Sequence, residues 1–85
     1  MPLRRSPDLA WQSIGEETVV MDLAGRRVLG LNAAGGLLWS LLEERDEMAL
    51  AGAVVERFEV EPDRARDDVR EFLASLGARG LVREG

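Results

Sequence analysis

No cysteine, histidine, tyrosine or lysine occurs among the 85 residues, and every basic side chain is an arginine. Each absence removes a class of chemistry. Without cysteine there is neither a disulfide nor a thiolate metal site to reinforce a chain of this size, which buries only about 60% of its unfolded surface. Packing has to stabilise it alone. Without histidine, lysine, tyrosine or cysteine, the usual general acids and bases near neutral pH are missing. Ser13, Ser40 and Ser75 have no imidazole or amine to activate them, and no Gly-x-Ser-x-Gly turn is present. The composition therefore points away from an enzyme, and no metal or other cofactor is expected. The first eight residues lack the apolar core of a signal peptide, and no apolar run approaches the roughly 20 residues of a membrane span. A soluble, cytoplasmic protein with no membrane partner is expected.

What is present is ordinary globular composition: 46% hydrophobic and 32% charged residues, with a net charge of −5. A negative field repels phosphate backbones and argues against nucleic acid as a partner. The one basic cluster near a terminus, Arg4 and Arg5, reads as a solvated, frayed end. One domain spans residues 1–85, of which 1–8, with Pro2 and Pro7 among charges, read as an irregular lead-in.

Three strands are expected next. Leu9 to Ile14 alternates loosely around Trp11, and Gly15 to Glu17 form a turn. Thr18 to Leu23 is β-branched and apolar; Ala24-Gly25 signals a tight turn; Arg26 to Leu31 resumes as a strand. Asn32 is a good N-cap for a helix from Ala33 to about Glu43, whose leucines and Trp39 leave little polar face and place it in the core. Gly35 and Gly36 weaken that helix by about 1 kcal/mol each against alanine, so they suggest close approach by another backbone or simply a weak first turn. Asp46 caps a second helix, about Glu47 to Phe58. Pro62 opens a third, carried by Ala65, Val69, Phe72, Leu73 and Leu76 until Gly80 stops it, with Leu81 and Val82 closing the core. The fold class is α+β: a three-stranded antiparallel sheet followed by three helices, winged-helix-like.

Two functional readings find little support in the third helix. Asp63, Asp67, Asp68 and Glu71 crowd it, but calcium wants loop oxygens, and the interleaved Arg64, Arg66 and Arg70 make these carboxylates a salt-bridged surface. As a DNA-recognition helix it is neutral, since Arg64, Arg66, Arg70 and Arg79 balance the same four acids, and the strands precede the helices where a wing follows them. What remains is the sheet margin. In an up-and-down sheet the third strand has one unpaired row of backbone groups; Arg26 and Arg27 guard only its beginning, while Val28, Leu29, Gly30 and Leu31 are apolar. Such a margin invites a foreign strand, or a second copy of the chain, so a monomer or weak homodimer is expected. The third helix would wall a groove beside it. Either the Phe72 flank, with Asp68 and Ser75, or the Arg66 and Arg70 flank faces the strand, and helical geometry alone does not choose.

The run VVMDLAGRRVLGLNAAGGLLWSLLE resembles the PqqD-like family: a strand, a glycine-containing turn, a strand ending in Leu-Asn, and a Leu- and Trp-rich helix. VEPDRARDDVREFLASLGARGLV is similar to that family's closing helix, with Phe72, Leu73, Leu76, Gly80 and Leu81 in its ending. The likeness extends from about Leu9 to Val82. It implies a precursor-peptide recognition element that takes up a leader segment as an added strand between the third strand and third helix. Carried onto this chain, the peptide site is Arg27, Val28, Leu29, Gly30 and Leu31 with Asp68, Glu71, Phe72 and Ser75. The "GLN" and "LW" elements resemble the stand-alone modules of lasso-peptide pathways, whose partner is a leader peptidase. The alternatives are a PqqD-type chaperone for a radical SAM enzyme in quinone cofactor synthesis, a subunit that completes a larger enzyme without binding peptide, and a winged-helix DNA-binding regulator.

Overall fold

The alternation and turn signals of the first third of the chain produce three antiparallel strands in the computed structural model, which describes residues Leu3 to Glu84. Two short strands flank the fold at its termini, so the elements are β1 (Leu3–Arg5), β2 (Leu9–Ile14), β3 (Glu17–Asp22), β4 (Arg27–Leu31), α1 (Ala33–Leu41), α2 (Glu47–Phe58), α3 (Pro62–Ala78) and β5 (Val82–Glu84). The sheet order is β2-β3-β4, with β4 at one margin, as expected of an up-and-down meander. The β3–β4 turn is wider than Ala24-Gly25 alone. Asp22 pairs with Arg27, and Arg26, expected in the strand, instead takes a left-handed conformation at φ 55° inside the turn. The Asp22 carboxylate accepts a hydrogen bond from the Gly25 N–H at 3.0 Å, a local bond that competes with strand pairing.

The helices begin where their caps dictate. Asn32 Oδ1 accepts from the Gly35 N–H at 2.8 Å and Asp46 Oδ1 from the Ala49 N–H at 2.9 Å, each satisfying a first-turn donor worth about 1 kcal/mol. Glu59, left-handed at φ 53°, ends α2, Pro62 opens α3, and Gly80, at φ 74°, turns the chain out of it. Val20, Leu38, Trp39, Leu42, Leu50, Val69 and Leu76 are buried at the centre, so α1 lies in the core as its missing polar face requires. Gly36 permits this: a Cβ there would fall 2.7 Å from the Thr18 hydroxyl of β3.

The N-terminal segment is the clearest departure from expectation. Leu3–Arg5 is not irregular but pairs antiparallel with β5, Leu3 opposite Glu84 and Arg5 opposite Val82. Arg5 is not a frayed, solvated charge. Its backbone N–H and Nη1 donate to the Glu43 carboxylate at 2.9 and 2.8 Å, Nη2 donates to the Trp39 carbonyl, and its guanidinium sits 4.7 Å from the Trp11 ring and 5.3 Å from the Trp39 ring. The two indoles meet edge to face at 5.5 Å. A three-residue strand whose partner is at the other end of the chain carries no periodicity of its own, so nothing local announces it.

Candidate functional site

β4 hydrogen-bonds only to β3 among the described residues, so its other row of backbone groups is unpaired. Along the strand, Leu29 and Leu31 point toward the helices, while Val28, 70% exposed, points to the outer face of the sheet. α3 runs past this margin, and Leu31 of β4 joins Val69 and Leu76 of α3 in the core at its base. The space left between them is a groove of about 390 Å³. Its apolar surface comes from Leu29 and Leu31 of β4, Ala34, Gly35 and Leu38 of α1, and Phe72 and Leu76 of α3; Gly30, Asn32, Asp68, Ser75 and Arg79 complete the lining. Gly35 sets the depth of one end. A Cβ there would stand 3.3 Å from the Phe72 ring, so the missing side chain lets Phe72 lie against the first turn of α1.

The flank that sequence geometry left open is the Phe72 flank. Asp68, Phe72, Ser75, Leu76 and Arg79 fall within about 60° of Phe72 on the helix surface and share the groove wall. Arg66 and Arg70 lie on the other side, Arg66 paired with Asp63 and Arg70 3.9 Å from Glu47 of α2. Among the described residues no group of three or more acidic residues could hold a metal ion, and the Arg64–Asp68 contact at 3.7 Å fits the salt-bridged surface read from the sequence.

Of the residues assigned to a peptide site, Leu29, Gly30, Leu31, Asp68, Phe72 and Ser75 line the groove. Arg27 and Val28 do not; they border a small continuation of about 20 Å³ past Leu29 and Arg79, beside Asp22 and Leu81. Glu71 lines neither, because it is about 100° from Phe72 and exposed on the shoulder of α3. Asn32, Ala34, Gly35, Leu38, Leu76 and Arg79 were absent from the sequence assignment. Leu76 and Arg79 had a signal, since 68, 72, 75, 76 and 79 form one helical stripe. The α1 residues had none, because the angle at which α1 meets β4 is a tertiary property.

The profile of the family described as coenzyme PQQ synthesis protein D (PqqD) matches residues 17–82. The chain belongs to the PqqD family. Among solved structures, this PqqD-family chain is similar to TbiB1 in complex with the TbiA(beta) leader peptide, with a TM-score of 0.86, 28% identity and 94% of each chain covered. It is also similar in fold to a lasso peptide synthetase B1 complexed with the leader peptide, at a TM-score of 0.86 and 20% identity over 98% of this chain and 99% of that one. No curated protein matches it. No helix among the described residues is long and apolar enough to cross a membrane.

Proposed function

We propose that this chain is a non-catalytic adaptor that binds the leader segment of a ribosomally made precursor peptide and presents it to a leader peptidase. The leader adds as a strand to the open margin of β4, with its inward side chains in the groove beneath α3. The observation that carries this reading is the unpaired β4 backbone beside an apolar trough of about 390 Å³. Backbone bonds along a sheet margin supply affinity for any extended chain, and the side-chain trough supplies choice. The leader-bound TbiB1 relative supports the same use of the fold, and the resemblance of the GLN and LW elements to stand-alone lasso-pathway modules favours a lasso-type pathway. Presentation to a radical SAM enzyme in quinone cofactor synthesis is the second reading, and it rests on the family match. The absence of histidine, cysteine, tyrosine and lysine supports a role without catalysis.

Calorimetric titration of the purified protein with the precursor leader encoded beside its gene tests the proposal. A dissociation constant of about 1 μM or tighter, about 8 kcal/mol, is expected. Two variants bring the site into the test. Ser75→Trp places a large ring in the trough from an exposed helical position, and Gly30→Val adds a side chain where no atom lies within 4 Å. Both should fold, by circular dichroism, and Ser75→Trp should weaken the leader at least about tenfold. Native spectra with undiminished affinity in both variants would remove the groove from consideration.

A further inference from the structure

The groove is apolar along its floor, and it carries only two charged side chains, Asp68 and Arg79, one toward each end of its helical wall. Phe72 lies one turn beyond Asp68 and packs at Gly35, where α1 begins, whereas Arg79 continues into the space beside Arg27 and Val28. The charges therefore mark opposite ends of the β4 margin. Eleven residues of helix at 1.5 Å each separate them by about 16 Å. An extended strand rises about 3.3 Å per residue, so four residues cover about 13 Å, and residues four apart point to the same face. Long side chains make up the difference.

Neither charge is strongly engaged within the fold. Arg79 makes no ion pair among the described residues. Asp68 has only the exposed contact to Arg64 at 3.7 Å, the kind of surface pair that contributes little. At the Arg79 end, Arg27 adds a second cation, and Asp22, its cross-strand partner, accepts from the Gly25 N–H. On a chain with a net charge of −5, this end offers an anionic side chain two guanidinium groups against the single Asp22 carboxylate that borders the same space.

We propose that the ligand strand carries an acidic side chain at the Arg79 end and a basic one four residues away at the Asp68 end, with an apolar side chain midway against Phe72, and that Arg79 is the specificity-determining residue for the acid. This rests on the strand-addition reading above and adds the chemistry of the occupant. Arg79 also stands at the C-terminus of α3, where a cation is favourable in any helix, so its test must read ligand choice as well as affinity.

A displayed library of random twelve-residue peptides is selected against the intact protein, its Ser75→Trp variant and its Arg79→Glu variant. Peptides retained by the native protein and lost on Ser75→Trp are expected to share an apolar residue flanked at two positions on either side by opposite charges. Selection on Arg79→Glu should replace the acid by lysine or arginine at the same spacing. A synthetic peptide from the first selection should lose about tenfold in affinity when its acid becomes lysine, and Arg79→Glu should restore it. Groove-dependent peptides without that charge pattern, or with one that Arg79→Glu leaves unchanged, would overturn the proposal while leaving strand addition intact. If no selected peptide is sensitive to Ser75→Trp, strand addition itself fails.

Discussion

The two margins of the three-stranded sheet start from comparable material and end in different states. β2, Leu9–Ile14, and β4, Arg27–Leu31, are both short, and each pairs on one side only with β3. On β2, the ring of Trp11 turns onto Trp39 of α1, and Arg5, arriving with the terminal β1–β5 ladder, stacks against both indoles and reaches Glu43. That side of the sheet is tied to the core through three side chains. On β4, α3 and the first turns of α1 wall a trough along the strand. A sheet margin is thus made structural or available by what packs against it: Trp11 of the strand itself, Arg5 of β1 and Trp39 of α1 close up on the β2 side, and β4 has no such set.

The largest effect should come from cutting the tie on the β2 side. Trp39 is 1% exposed, and Trp39→Ala removes a buried indole at a cost of about 3–5 kcal/mol, enough to unfold much of so small a domain; urea denaturation should show the midpoint fall or the transition disappear. Next in size, Arg5→Ala should cost about 1–2 kcal/mol, because it removes the cation–π stack and the charge-assisted bonds to Glu43. Part of that loss is offset, since Arg5 Nε is buried without a partner and its removal relieves a desolvated donor. The urea midpoint should drop at unchanged slope while leader affinity, measured below the transition, stays within about twofold. A loss of leader affinity as large as that from Ser75→Trp would show that the margins are coupled and break the comparison. The smallest effect belongs to Arg64→Ala, which removes a 3.7 Å pair between side chains 78% and 54% exposed and should change the unfolding free energy by less than about 0.5 kcal/mol. A larger shift would mean that the charged face of α3 contributes to the fold, and thereby to the position of the groove wall.

Recognition of the site from the residues was partial in a way that follows from distance along the chain. The open margin of β4 and its apolar run from Val28 to Leu31 were legible, because a meander order is a property of neighbouring residues, whereas the helical stripe left open whether the Phe72 flank or the Arg66 and Arg70 flank of α3 lies beside it. Glu71 was assigned to the peptide site on family resemblance; it stands exposed on the shoulder of α3, about 100° from Phe72, and does not line the groove. Leu38, Ala34 and Gly35 went unassigned because their place in the lining depends on how α1 crosses α3, at the contact where Gly35 admits the Phe72 ring.

Caps, turns and periodicities act over three or four residues, and those the chain determined by itself: the Asn32 and Asp46 caps, the Gly80 stop, the strand order and the central burial of α1 all stand where their local chemistry puts them. Tertiary structure alone decided that Leu3–Arg5 finds Val82–Glu84, that Arg5 lies between two indoles, and that α3 turns Phe72 and Arg79 toward β4. The reason is the same in each case. These outcomes join residues far apart in the chain, and only the packing of the whole core selects among the partners that local preference permits.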